Sequence, residues 1–265
     1  MSELENSIIE GMKKTGYSLE ILTGSRLSNR GWTVRHQSIF HDEDENKSRY
    51  VDLIAYKAIE REKGFERFKR LNWTVIAECK KSEKPWIFYC PPSDSLTKER
   101  DLSTVFYTKL ASEPALLPKH VLPLFVDDHY FLKGPVDRIA QAGYVLFDKG
   151  DKGYDQVFTA TNQVLKALTY RREASNMAIK TGIVKNTLIV YYPVIVFEGK
   201  LFEYTLDESQ KPKLTEANYL KYQVDFQGSR DADPEGFMID IVTLEKLPEY
   251  ASWLEDEMAK VAMKT

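Results

Sequence analysis

Arg49-Tyr50-Val51-Asp52-Leu53-Ile54-Ala55 and Trp73-Thr74-Val75-Ile76-Ala77-Glu78-Cys79-Lys80 are the two stretches whose reading decides the fold. Both are rich in β-branched and aromatic residues and bounded by polar ones, so each reads as a buried strand. A strand places residues i and i+2 on one face, so Glu78 and Lys80 point the same way. If the two strands are neighbours, Asp52 comes within reach of that pair. Two carboxylates then stand ready to hold a hard divalent ion with an ammonium beside it, a set suited to phosphodiester hydrolysis.

Glu-Cys-Lys alone carries little weight, because strand ends commonly bear charges that face water. Its company changes the reading: an Asp sits inside an apolar strand, a second strand ends in Glu and Lys, and a helix-like segment precedes both. A carboxylate among Val, Leu and Ile is costly unless something compensates it, and a metal ion is one such partner.

The order of these parts resembles the PD-(D/E)xK nuclease superfamily, the restriction-endonuclease-like fold. Ser18-Leu19-Glu20-Ile21-Leu22 through Asn29-Arg30-Gly31-Trp32 is similar to the family's first helix, and Trp32 to Phe40 to its first strand. Arg49 to Tyr56 then corresponds to the strand with the Asp, and Trp73 to Lys80 to the strand with (D/E)-x-Lys. Val51 stands where the family name has Pro. The resemblance covers roughly the first third of the chain closely. It implies a nuclease with Asp52, Glu78, Lys80 and Glu20 as catalytic residues. Asp52, Glu78 and the Cys79 backbone carbonyl would hold one Mg²⁺ or Mn²⁺, while Lys80 orients the attacking water or stabilises charge on the phosphorane. Glu20 would complete the acidic cluster directly or through a water. Glu10 lies in a similar segment, and the distance to Gly31-Trp32 favours Glu20. The expected substrate is DNA, in a restriction or defence setting, and a homodimer is expected if both strands are cut. The alternative is a non-catalytic nucleic-acid-binding or complex-assembly protein on the same fold. No substrate-binding residue is assigned.

The expected fold is α/β: a restriction-endonuclease-like core with a central mixed β-sheet flanked by helices over residues 1–150, and a C-terminal elaboration over 151–265 that completes or extends the same domain. With 265 residues and 43% hydrophobic content the chain can bury a substantial core. No apolar run reaches membrane-helix length and the start lacks the pattern of a secretion signal, so a cytoplasmic protein without membrane contact is expected. Cys79 and Cys90 lack metal-ligand spacing and read as buried, reduced thiols. His36, His41, His120 and His129 are scattered, which supports structural roles rather than His-based catalysis.

A net charge of −3 does not advertise nucleic-acid binding. Local sign matters more, and Lys80, Lys81 and Lys84 cluster beside the site while acid gathers at Asp42 to Glu45 and Glu255 to Glu257. The first acidic run lacks the Gly and Glu of a calcium loop and reads as a solvated turn between strands. Lys57 to Arg70 reads as a short helix or an extended hairpin. Further on, Asp101 starts a helix, Val121–Val126 and Tyr144–Phe147 read as strands, and Val157 to Leu168 has helical spacing with Asn162, Gln163 and Lys166 on its surface. Leu188–Phe197 is the strongest later strand, with Pro193 calling for an edge or a bulge, and Glu198-Gly199 reads as a hairpin turn into Lys200–Tyr204. Pro248 to Val261 suits a closing helix.

Overall fold

The structure is a computed structural model that describes residues 2–60, 69–91, 110–111, 139–145, 156–227 and 235–264. Two helices, α1 (Glu3–Lys14) and α2 (Tyr17–Ser28), precede three long strands, β1 (Thr33–Asp42), β2 (Lys47–Glu60) and β3 (Arg70–Lys81). Short strands follow: β4 (Trp86–Tyr89), β5 (Leu110–Ala111), β6 (Ile139–Ala140) and β7 (Ala142–Val145). The second half holds α3 (Gln156–Lys180), β8 (Thr187–Glu198), β9 (Leu201–Leu206), β10 (Pro212–Ala217), β11 (Tyr219–Phe226), β12 (Glu235–Thr243) and α4 (Leu247–Lys264). The molecule is therefore mixed α/β. Asp101–Tyr107, Val121–Val126, Leu146, Phe147, His120 and His129 lie outside the described residues.

One eight-stranded mixed sheet runs β1-β2-β3-β8-β12-β11-β6, with β5 also on β8. Strands β1, β2 and β3 are antiparallel neighbours, whereas β8 lies parallel to both β3 and β12. The continuous apolar sequence of β3 and β8 follows from burial on both faces. Leu71, Trp73, Val75 and Ala77 join Leu188, Val190 and Tyr192 in a core under α2 and α4. On the other face Ile76, Ile189, Ile195 and Phe197 pack with Val164, Leu165 and Leu168 of α3. Each such side chain, fully buried, contributes about 1.5–3 kcal/mol. A second sheet, β10-β9-β4-β7, adds Trp86, Phe88 and Leu201 to the α3-side core.

Three expectations change here. Pro193 is at neither an edge nor a bulge, because β8 is an interior strand paired with β3 along its length. On its other side β5 pairs at Ile189 and Val190 and β12 begins at Val194, so Pro193 falls in the interval between them, where its missing N–H interrupts neither pairing. Glu198-Gly199 is not a hairpin turn. The chain leaves the large sheet there, and β9 pairs with β4 and β10 instead. Gly199 is required by close approach, since a Cβ would stand 2.5 Å from the Ser82 backbone oxygen. The turn at residues 43–46 is present, but Asp42 at its start is buried rather than solvated. It accepts from Arg49 at 2.6 Å and from Lys166 of α3 at 2.8 Å.

Lys57 to Glu60 continue β2 and pair with Trp73 to Arg70 of β3, while residues 61–68 of this segment lie outside the described residues. The helix read from Val157 is α3, and Gln163 on it donates to the Tyr50 carbonyl at 2.6 Å. Gln163 and Lys166 thus fasten α3 to the β1–β2 hairpin. Helix α4 packs its Tyr250, Leu254 and Met258 on the sheet. Its Glu255 gathers Arg30 at 2.7 Å, Trp32 at 2.9 Å and Lys57 at 3.1 Å, which join α4 to the end of α2 and to β2.

A candidate active site at a fork between two strands

The β1–β2 hairpin rotates about its own length at one point. Val34 packs with the α2-side core and Phe40 with the α3-side core, although both have the same strand parity. Leu53 and Val51 divide in the same way. The change of face coincides with Gln37, at φ 48°, and with Asp52, whose pairing is missing from the ladder between His36–Leu53 and Ser38–Val51. The β2–β3 pairing also ends here, at Leu53–Ala77. Beyond it the two strands diverge, and β3 continues beside β8 alone.

Asp52 sits in that fork. Its Oδ2 accepts the Cys79 backbone N–H at 2.7 Å, taking the place of a strand carbonyl. A residue's N–H and C=O leave a strand on the same side, so the Cys79 carbonyl is also directed into the fork. Glu78 and Lys80 share a face, as strand alternation requires, and Lys80 Nζ donates to Glu78 Oε1 at 2.7 Å. Glu78 is 1% exposed, and its Oε2 has no hydrogen-bond partner. Glu20, half-buried on the first turn of α2, is close enough for its charge to act on Glu78 and for Asp52 to act on it. Glu10 is exposed on α1.

The electrostatics follow from crowding acids where water is scarce. Burial first and Asp52 second push the Glu78 carboxyl up to about 7, with Lys80 opposing. Burial and Asp52 likewise raise Glu20 to about 7. Burial raises Asp52 above the ordinary aspartate range, against the Cys79 N–H and Lys80. Burial works against the Lys80 ammonium, yet Glu78 and Asp52 more than offset it, so Lys80 keeps its proton. Within the pair, Glu78 is the partner that yields its charge, because it is the more deeply buried and is only half satisfied. The Cys79 thiol, raised well above its ordinary range by burial, donates weakly to Thr23 Oγ1 at 3.7 Å and is no nucleophile.

The fold therefore brings Asp52, Glu78, Lys80 and Glu20 to one place. An oxygen-seeking cation fits this chemistry: two carboxylates and a backbone carbonyl are hard donors, and Glu78 Oε2 is a buried acceptor awaiting a partner. Among the described residues no group of three or more His, Cys, Asp or Glu side chains is arranged to hold a metal ion; Asp52 accepts the Cys79 N–H and Glu78 accepts from Lys80. Of the basic cluster, Lys81 bonds Glu198 at 2.8 Å. Arg26 donates to the Leu244 carbonyl, Arg30 pairs with Glu255 and Arg171 donates to the Ile39 carbonyl, so these serve packing. Sequence reading did not mark the exposed pair Ile39 and Tyr50, which face each other across β1 and β2 beside Asp52. An aromatic residue two positions before an acid, in a strand read as buried, was the available signal. Among the described residues, no helix is long and apolar enough to cross a membrane. Comparison of the chain with protein-family models, curated proteins and solved structures finds no match in any of the three.

Proposed function

We propose that the chain is a metal-dependent nuclease of the restriction-endonuclease-like kind, hydrolysing DNA phosphodiester bonds at the β2–β3 fork. The observation that carries this reading is Glu78: a buried carboxylate with one oxygen on Lys80 and the other unpartnered, beside a second acid. A buried unsatisfied polar group costs about 1–3 kcal/mol. A cation bound at that oxygen would offset this cost. Asp52, Glu78 and the Cys79 carbonyl would hold one Mg²⁺ or Mn²⁺, with Glu20 approaching from α2. Such an ion, when bound, polarises the scissile phosphate and acidifies a water.

The chain's own groups do the rest. Lys80 keeps a positive charge where negative charge develops during attack, and it is fixed there by Glu78 and by the paired β3–β8 backbone. Asp52 bridges the fork from β2 to β3 by accepting the Cys79 N–H. Burial raises Glu20 and Glu78 to about 7 without metal, so a cation that binds them would displace protons and bind more tightly as pH rises. Tyr50 and Ile39 offer exposed apolar surface against which a base can lie.

The second reading, a nucleic-acid-binding or assembly protein without catalysis, is favoured by the absence of a three-residue ligand cluster among the described residues and by the pairing of Lys81 with Glu198. Incubation with supercoiled and linear DNA in Mg²⁺, Mn²⁺ or EDTA separates the two. Metal-dependent nicking supports the nuclease. DNA binding that persists in EDTA, with no cleavage under any condition, supports the second.

A further inference from the structure

Helix α2 lies across the fork by one face. Glu20, Thr23, Gly24 and Leu27 follow at i, i+3, i+4 and i+7, and the last three are buried. Thr23 Oγ1 meets Cys79 Sγ of β3 at 3.7 Å. Gly24 meets the His36 ring of β1, where a Cβ would stand 2.4 Å from His36 Cε1 and 2.5 Å from Nε2. Leu53 of β2 lies between, paired with Ala77 on one side and with His36 on the other. His36 is therefore one strand spacing, about 4.8 Å, from β2 at the residue next to Asp52. Glu20, one helical turn or about 6 Å before Gly24 on the same face, feels the charges of Asp52 and Lys80. The imidazole thus stands at the rim of the acidic fork, on the opposite side of β2 from Cys79.

Two features set His36 apart from a histidine that serves packing. It is exposed, and neither ring nitrogen has a hydrogen-bond partner among the described residues. The helix is also shaped to receive it: glycine is a poor residue for a helix interior, yet any side chain at Gly24 would push the ring away. We propose that His36 is a substrate-binding residue, donating a hydrogen bond to a phosphate oxygen of the DNA backbone beside the scissile bond, an assignment that rests on the nuclease reading of the fork. The donors available select this partner. A hard cation takes the oxygens of Asp52 and Glu78 rather than an imidazole. Lys80 is committed to Glu78, Lys81 to Glu198, Arg26 to the Leu244 carbonyl and Arg30 to Glu255. Arg35, next to His36, turns to the other face of the strand, with its guanidinium 5.9 Å from the Tyr56 ring. His36 keeps a donor for the strand that lies over these acids, and contacts of this kind fix the register of a nucleic acid on a protein.

Fluorescence anisotropy of a labelled mixed-sequence DNA duplex, titrated with the full chain in Ca²⁺, tests this beside cleavage of the same duplex in Mg²⁺. His36→Ala should weaken binding about tenfold, the scale of one hydrogen bond to a charged group, with circular dichroism and melting unchanged. His36→Gln, which keeps a donor, should recover most of the affinity. Gly24→Ala should weaken binding as much as His36→Ala does, and should add nothing when His36 is already Ala, because the new methyl group then meets no ring. His36→Ala that lowers the melting temperature and leaves binding as tight as in the wild type overturns the proposal. So does a Gly24→Ala effect on binding that persists in the His36→Ala background. Binding that falls in these variants while the wild type cuts nothing in Mg²⁺ removes the nuclease reading and keeps the phosphate contact, whereas a wild type that binds no DNA removes both.

Discussion

At the scale of single residues, proton binding to Glu78 links the site to stability. Its folded-state pKa of about 7 stands above the ordinary 4.5, so between those values the folded metal-free chain holds more protons than the unfolded one. The contribution of Glu78 is therefore fully present below about pH 4.5 and is lost as pH rises through about 7, on the order of 3 kcal/mol in all. Glu20 acts in the same direction, weakened by solvent screening. Urea unfolding without metal should show the wild type less stable at pH 8 than at pH 5, and Glu78→Gln should flatten that slope. Mg²⁺ at pH 8 should restore the lost stability to the wild type, but not to the variant. The identities of these residues were legible because strand alternation places Glu78 with Lys80. The unpartnered Oε2 was not, because satisfaction of a carboxylate depends on everything around it. Asp240 makes the same point: Gly236-Phe237-Met238-Ile239-Asp240-Ile241-Val242 is also an acid within an apolar strand, yet its carboxylate meets Tyr219 at 2.9 Å, Tyr250 at 2.8 Å and Lys221 at 3.2 Å. One sequence signal leads to two fates, and the neighbouring strand decides which.

At the scale of elements, the site depends on where strands part. Leu53–Ala77 is the last β2–β3 pair, and Asp52 and Cys79 are free to face each other only beyond it. The strands themselves were readable from their apolar runs. Their divergence was not, because it needs the rotation at Gln37, a residue without any sequence mark of its positive φ. The departure of β9 from the large sheet was misread for a related reason: a glycine between two strands signals a hairpin unless something approaches its missing side chain. Gly199→Ala would press a methyl group on the Ser82 backbone oxygen, which cannot swing aside because Ser82 N–H is bonded to Glu198 O at 3.0 Å. The expected cost is about 1–3 kcal/mol by thermal or denaturant melting. Unchanged stability would mean that this crossing between sheets is looser than described.

At the scale of the whole molecule, the site is framed by parts distant in sequence: β8 pairs with β3 alongside Glu78, α3 clamps the β1–β2 hairpin through Lys166 and Asp42, and α4 closes the α2 side. The far end of the large sheet is fixed by Lys221 and Asp240, both 0% exposed, with the Lys221 ammonium 5.4 Å from the Trp253 ring of α4. Lys221→Met strands a buried carboxylate and should cost about 3–5 kcal/mol, while Lys221→Met with Asp240→Leu should recover part of it. Equal stability of wild type and single variant would deny the pair its place in the fold. The α/β class was evident from alternating helical and strand patterns, but the pairing of β3 with β8 across more than a hundred residues could not be, since periodicity carries no information on which strands meet. The central claim is that the fork cleaves DNA, and it is tested most directly by single-turnover cleavage in Mg²⁺ with wild type and Lys80→Ala. The account predicts loss of about 10²-fold or more in rate with the fold retained. Cleavage at the wild-type rate by Lys80→Ala would contradict it.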